Sequence, residues 1–206
     1  MRKILGFGAE ATVYIDDNSN GKSGIVVDKE RLKKNYRHES IDFVLRKVRT
    51  RKESKILKDL EKYGFSPRLL EQKEYNIVME YIDGIQLKKL LDKDPKLAGL
   101  IGKNLTIMHD LNIIHGDLTT SNMIFVGKGK RIKLFFIDFG LSFNSVKIED
   151  KAVDVHLFKQ ALESKHYKVY DKAYKEFLKN YNSKGKKDIL ERLSVVEQRG
   201  RYKEKA

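Results

Sequence analysis

The spacing of apolar residues changes character along the chain, and each change predicts an element. Thr12, Val13, Tyr14 and Ile15 are β-formers, the polar run from Asp16 to Gly24 follows, and Ile25, Val26 and Val27 resume, which predicts a hairpin with a long polar loop. From about His38 to Lys62, Ile41, Val44, Leu45, Val48, Ile56, Leu57 and Leu60 recur at helical spacing, and Gly64 stops the helix. Ile77, Val78, Met79 and Tyr81 form a short strand ended by Asp83-Gly84. Leu97, Leu100, Ile101, Leu105 and Met108 mark a second amphipathic helix, closed before Ile113-Ile114. Met123 to Val126 and Ile132 to Ile137 read as two short strands joined by Gly127-Lys128-Gly129-Lys130. Beyond Gly140 the chain reads as helix, with Val155, Leu157, Phe158, Ala161, Phe177, Leu178, Ile189 and Leu193 as its apolar positions. Strands first and helices afterwards predict an α+β fold with a strand-rich N-lobe and a helical C-lobe.

Composition narrows the partners more than the fold. A chain of 206 residues with 40% hydrophobic and 35% charged residues can bury a sizeable core as one domain or two small lobes. It has no cysteine, which excludes a disulfide framework, a thiolate zinc site and a cysteine nucleophile. There is no apolar run of membrane-spanning length and no signal-peptide core, so the expected setting is cytoplasmic. The net charge of +14 favours a polyanionic partner. The excess is concentrated: residues 29–62 carry 13 basic and 6 acidic side chains, and residues 184–206 carry 8 and 4. Solvated helix faces would account for either segment taken alone.

Polar residues interrupt the apolar pattern at places where propensity would not put them. Gly6-Phe7-Gly8-Ala9-Glu10-Ala11 precedes a strand, and small residues there let backbone amides approach a phosphate, although a plain hairpin turn also fits. Lys29 ends a strand, and Glu53 shares a helix face with Ile56, Leu57 and Leu60. An acid facing a core needs a cation, and Lys29 is a reasonable partner. His115-Gly116-Asp117-Leu118-Thr119-Thr120-Ser121-Asn122 follows an apolar pair, and Ile137-Asp138-Phe139-Gly140 ends an apolar strand. Asp117, Asn122 and Asp138 together supply a base and hard oxygen ligands of the kind Mg²⁺ takes beside substrate phosphates.

These strings resemble the protein-kinase superfamily, whose motifs read H-R-D-x-x-x-x-N and D-F-G. With Gly8-Ala9-Glu10-Ala11, Tyr36-Arg37-His38 and Arg199-Gly200-Arg201, the chain more narrowly resembles the small atypical kinase subunit of the KEOPS complex, the PRPK family. The resemblance implies a minimal bilobal kinase-like fold, with an N-lobe over 1–82 and a C-lobe over 83–206. It implies ATP and Mg²⁺ as cofactors and a Ser/Thr kinase or ATPase activity. It also implies a role in threonylcarbamoyladenosine modification of tRNA, with the threonylcarbamoyl-transferase subunit as chief partner, whether separate or fused to this chain. By the same resemblance, Gly6 and Gly8, Ala9, Glu10 and Ala11 lie over the phosphates, and Lys29 contacts the α- and β-phosphates while pairing with Glu53. Glu80 and Ile82 offer backbone groups to adenine, and Met79 gates that pocket. Asp117 is the catalytic base, and Asn122 and Asp138 hold Mg²⁺. The tail residues Arg199, Arg201 and Lys203 are candidates for tRNA or partner contact.

The departures from the kinase pattern matter as much. Gly116 replaces the motif's Arg, Ala11 stands at the third Gly of the phosphate loop, and Asp28 precedes Lys29 where an apolar residue is usual. No A-P-E string follows Asp138, and only 66 residues follow Gly140, so an ordinary activation segment is not expected. Asp154 is a candidate brace for the catalytic loop. Two further readings compete with the kinase: a nucleotide-sensing scaffold that binds tRNA and partner subunits, and a small-molecule phosphotransferase. The last is disfavoured because it usually needs a larger acceptor lobe.

Overall fold

An antiparallel sheet of five strands opens the chain, in the order β1-β2-β3-β5-β4. The computed structural model describes residues 2–8, 10–18, 24–128 and 131–203, with backbone alone for Asn18, Lys128, Arg131 and residues 200–203. The strands are β1 (Arg2–Phe7), β2 (Thr12–Asn18), β3 (Gly24–Glu30), β4 (Leu69–Gln72) and β5 (Asn76–Glu80). β3 is central, so Lys29 is flanked by Val13 of β2 on one side and Ile77 of β5 on the other.

Helix α1 (Glu39–Leu60) crosses between β3 and β4 and packs on β4 and β5. A 3-10 turn over Glu61–Tyr63 extends it, and Gly64 ends it in the left-handed conformation, with φ of 68°. Its C-terminal half follows the apolar pattern: Ile56, Leu57 and Leu60 are buried. Its N-terminal half does not. There Ile41, Val44 and Val48 are exposed while Asp42 is buried, and Thr50, Glu53 and Ser54 are buried further along the helix. The helical period is legible in the sequence, but the inward face of the first turns is polar. Asp42 settles there by pairing with Arg46 at 2.7 Å and accepting the Lys34 amide at 3.3 Å.

The chain divides into two compact units, Met1–Asp83 and Gly84–Ala206. The second begins with β6 (Ile85–Gln86), then α2 (Ala98–Asp110), β7 (Ile113–Ile114), β8 (Met123–Lys128), β9 (Arg131–Phe136) and β10 (Phe143–Asn144). It closes with α3 (Ile148–Lys165), α4 (Tyr170–Asn180) and α5 (Lys186–Lys203). β6, β8 and β9 form one small sheet, and β7 pairs with β10. Helix α2 packs on α4, and α3 on α5, around buried Phe136, Phe139, Phe158, Phe177 and Tyr181. Fully burying a side chain of this kind contributes about 1.5–3 kcal/mol. No helix among the described residues is long and apolar enough to cross a membrane.

Three strands depart from what the apolar pattern predicts. β1 is exposed along its length, β4 is short and carries Glu71 and Gln72, and β10 interrupts the region that reads as helix after Gly140. The joining turn expected at residues 127–130 lies partly outside the described residues, at 129 and 130.

Candidate active site

In the first unit, alternation along β3 carries Lys29 and then Arg31, just past its end, toward the same acid on α1. Lys29 Nζ donates to Glu53 Oε1 at 2.7 Å, and Arg31 Nη2 donates to Glu53 Oε2 at 2.5 Å. All three side chains are buried, at 8%, 2% and 1% exposure for Lys29, Arg31 and Glu53. One carboxylate thus holds two cations, and its orientation is set from both oxygens. Sequence reasoning missed Arg31. The available signal is its position two residues after Lys29, on the same face of an extended chain.

The turn between β1 and β2 is closed by the Gly8 amide donating to the Ala11 carbonyl at 2.8 Å, so that amide is engaged within the turn. Gly6 pairs with Val13, and Ala11 is buried. Ala9 lies outside the described residues. Glu10 accepts two hydrogen bonds from Arg37, at 2.7 and 3.1 Å, and pairs with Arg49 at 2.6 Å. Hydrogen bonding by Arg37, helped by Arg49 and opposed by partial burial, lowers the Glu10 carboxyl to about 2. At the other end of the sheet, Met79 is buried between Val27 and Leu69. The Glu80 amide donates to the Arg68 carbonyl at 2.9 Å, and Ile82 is buried just beyond.

In the second unit, the loop from His115 to Asn122 runs between β7 and β8. Asn122 Nδ2 donates to the Asp117 carboxylate at 2.8 Å and to its carbonyl at 3.0 Å, so the amide oxygen is the atom the side chain could offer a cation. The Ile137 amide donates to the Asn122 carbonyl at 2.9 Å, and Met123 pairs with Phe136. That pairing brings Asp117, Asn122 and Asp138 to one end of the β8–β9 hairpin. Asp138 has φ of 61°, a left-handed conformation uncommon outside glycine and concentrated at functional sites. No group of three or more His, Cys, Asp or Glu capable of holding a metal occurs among the described residues. An amide oxygen and a carboxylate fit Mg²⁺, which takes few protein ligands and completes its shell with phosphate and water.

Helix α3 supports this loop. Asp154, fully buried, accepts the amides of His115 at 2.7 Å and Gly116 at 2.9 Å, and lies 3.3 Å from His109 Nε2. His109 Nδ1 reaches the Tyr181 hydroxyl at 2.7 Å. Burial alone would raise the Asp154 carboxyl, but the hydrogen bonds and charge of His109 and the donated amides hold it below its ordinary value. Burial pushes His115 down, toward the neutral ring, whose Nδ1 accepts the Asp117 amide at 3.3 Å. Gly116 has φ of 79°, and a Cβ there would lie 2.5 Å from the Leu141 carbonyl oxygen. A glycine at the kinase-motif arginine is therefore a backbone requirement of this loop.

Of the tail residues, Arg199 lies on α5 and pairs with Glu149 at 3.0 Å, as Arg192 also does. Arg201 and Lys203 belong to α5, and their side chains are outside the described residues.

The RIO domain family model matches residues 19–152. KEOPS complex subunit Bud32 of Pyrococcus abyssi is 41% identical over 99% of this chain and 98% of its own length. The EKC/KEOPS complex subunit BUD32 of Encephalitozoon cuniculi is 38% identical, over 96% of this chain and 94% of its own. A probable bifunctional tRNA threonylcarbamoyladenosine biosynthesis protein of Methanosarcina mazei is 36% identical over 97% of this chain, which spans only 36% of that protein. Among solved structures, the Rio2 kinase–ADP/Mg²⁺-phosphoaspartate complex of Chaetomium thermophilum superposes with a TM-score of 0.67 at 19% identity, covering 98% of this chain and 70% of that one. That likeness establishes the fold.

Proposed function

The chain belongs to the RIO-domain family, in its KEOPS Bud32 branch, and from that premise we propose that it is an Mg-ATP-dependent phosphotransferase or ATPase serving a KEOPS complex in threonylcarbamoyladenosine modification of tRNA. The observation that carries this reading is the hydrogen-bonded Asp117–Asn122 pair, tied through Ile137 to Asp138. Asp117 accepts the proton of the attacking hydroxyl, from a protein Ser or Thr or from water. The Asn122 amide oxygen and the Asp138 carboxylate hold Mg²⁺. The metal, when bound, supplies charge neutralisation at the phosphates. In the first unit, Lys29 grips the α- and β-phosphates, and Glu53 keeps its ammonium in place. The turn containing Gly6, Gly8, Ala9, Glu10 and Ala11 lies over the phosphates. The Glu80 carbonyl and the Ile82 backbone receive adenine against Met79.

The partners follow from the relatives. A counterpart of this chain makes up about a third of a bifunctional tRNA threonylcarbamoyladenosine biosynthesis protein, which supports a transferase partner for this chain too. The exposed Arg51, Lys52, Lys55 and Lys58 of α1 suit the phosphates of a tRNA. The test is single-turnover conversion of γ-labelled ATP, with and without the transferase subunit and tRNA. Mg-dependent release or transfer of label, stimulated by the partner, is expected. Nucleotide binding with no turnover under any combination would instead favour the nucleotide-sensing scaffold.

A further inference from the structure

One buried histidine outside the residues assigned above touches the catalytic loop. His166 caps the C-terminus of α3, and its ring, 1% exposed, is held from both sides. Nδ1 lies 2.7 Å from Asp92 Oδ1, and Nε2 lies 2.9 Å from Thr120 Oγ1. Ionised Asp92 only accepts, so in the neutral ring Nδ1 donates to it and Nε2 accepts the Thr120 hydroxyl. Thr120 is itself buried, and it opens the single 3-10 turn Thr120–Asn122 that presents Asn122.

Asn122, at the end of that turn, is held by Asp117 and by the Ile137 amide, but none of those bonds reaches Thr120 at its start. The turn's N-cap, Thr119, makes no side-chain capping bond, and the Gln86 amide reaches the Ser121 carbonyl only at 3.3 Å. The same helix already fixes the other end of the loop, where Asp154 takes the His115 and Gly116 amides. Asp154 and His166 are twelve residues apart, roughly 18 Å along the chain if it were helical throughout. One element therefore holds the loop before Asp117 and again just before Asn122. His166 joins a loop side chain to a half-exposed carboxylate.

We propose that His166, oriented by Asp92, is a positioning residue: through the Thr120 hydroxyl it sets the Thr120–Asn122 turn and with it the Asn122 amide between Asp117 and the metal. The consequence for metal rests on the proposed role of Asn122; the consequence for the turn does not. The test uses the full chain and two readouts. The first, without nucleotide, is hydrogen exchange of the Asn122 amide, which donates to the Thr119 carbonyl. The second is the Mg²⁺ concentration that half-saturates ATP binding. Thr120→Val removes the hydroxyl and strands Nε2, so Asn122 exchange should rise about tenfold relative to α2 amides, with a several-fold higher Mg²⁺ requirement. Thr120→Ser keeps the hydroxyl and should restore both to within about twofold. His166→Gln and Asp92→Asn should shift both readouts in the direction of Thr120→Val. Lowered melting temperature in Thr120→Val with unchanged relative exchange at Asn122 would overturn the proposal. If exchange accelerates as stated while the unaltered protein shows no Mg²⁺-dependent ATP binding, positioning of the turn stands and the metal reading fails.

Discussion

Replacing Glu53 with alanine should destabilise this protein far more than helix propensity suggests. Alanine is the best helix former, a gain of some tenths of a kcal/mol at an interior position. Glu53 is 1% exposed, however, and its two oxygens hold Lys29 at 2.7 Å and Arg31 at 2.5 Å, both buried. Removing the acid takes from both cations the buried counter-charge that Glu53 supplies. Arg31 keeps a 3.4 Å approach to the Thr50 hydroxyl, too long to compensate. Breaking a buried ion pair from one side costs about 3–5 kcal/mol. For a chain of this size that corresponds to a fall in Tm of roughly 6–20 °C. Far-UV circular dichroism melts and urea titrations of Glu53→Ala and Glu53→Gln would measure it, Gln falling in between because it can still accept from one cation. A combined Lys29→Met, Arg31→Met and Glu53→Leu variant should recover most of that stability while failing to bind ATP. Lys29→Ala with Glu53→Ala should impair activity no more than the worse single change, because the two act as one unit. A Tm for Glu53→Ala within about 2 °C of the parent would refute the argument that this acid is an obligatory counter-charge.

Two further outcomes are expected at the periphery. Glu10 titrates at about 2 because Arg37 and Arg49 favour its charged form, so its stabilisation is fully present above about 4.5 and fades as pH falls toward 2. Glu10→Gln should cost on the order of 1 kcal/mol at neutral pH, given partial exposure, and the difference from the parent should shrink through that acid range; a pH-independent difference would show that the carboxylate's charge plays no part. Truncation after Gln198 removes the exposed Arg199–Glu149 pair, so the melting temperature should hardly move. The truncation should weaken tRNA binding and flatten its log–log salt dependence by up to roughly 0.7–0.9 for each phosphate no longer neutralised. Altered ATP turnover with an unchanged salt slope would mean that the tail acts on the protein's own site.

What the residues reveal is whatever is local along the chain. The strings around Asp117 and Asp138 each lie within a few residues, and flanking apolar strands mark their setting. Glu53 on an inward helical face is also visible, because periodicity is a local property. The second cation on it is not, since Arg31 meets Glu53 only after β3 and α1 pack. The first half of α1 shows the limit most clearly. Its apolar spacing predicts a helix, but periodicity cannot say which face a neighbour covers, and Asp42 is buried where Ile41 and Val44 are exposed. The two-residue strand β10 exists through pairing with β7, which no single window contains. The His166–Thr120 hydrogen bond spans 46 positions and leaves no pattern at all.

The central claim is a division of labour between Asp117 and Asp138, and Mg²⁺-dependent ATP binding measured beside turnover in the two variants tests it most directly. Asp117→Asn keeps the Asn122 side chain and the metal ligands, so ATP should bind within a few-fold of the parent while turnover is lost, because an amide accepts no proton from the attacking hydroxyl. Asp138→Ala removes an anionic ligand and should abolish the Mg²⁺-dependent part of binding together with turnover. Equal loss of binding in both variants, or turnover surviving in either, would contradict the account.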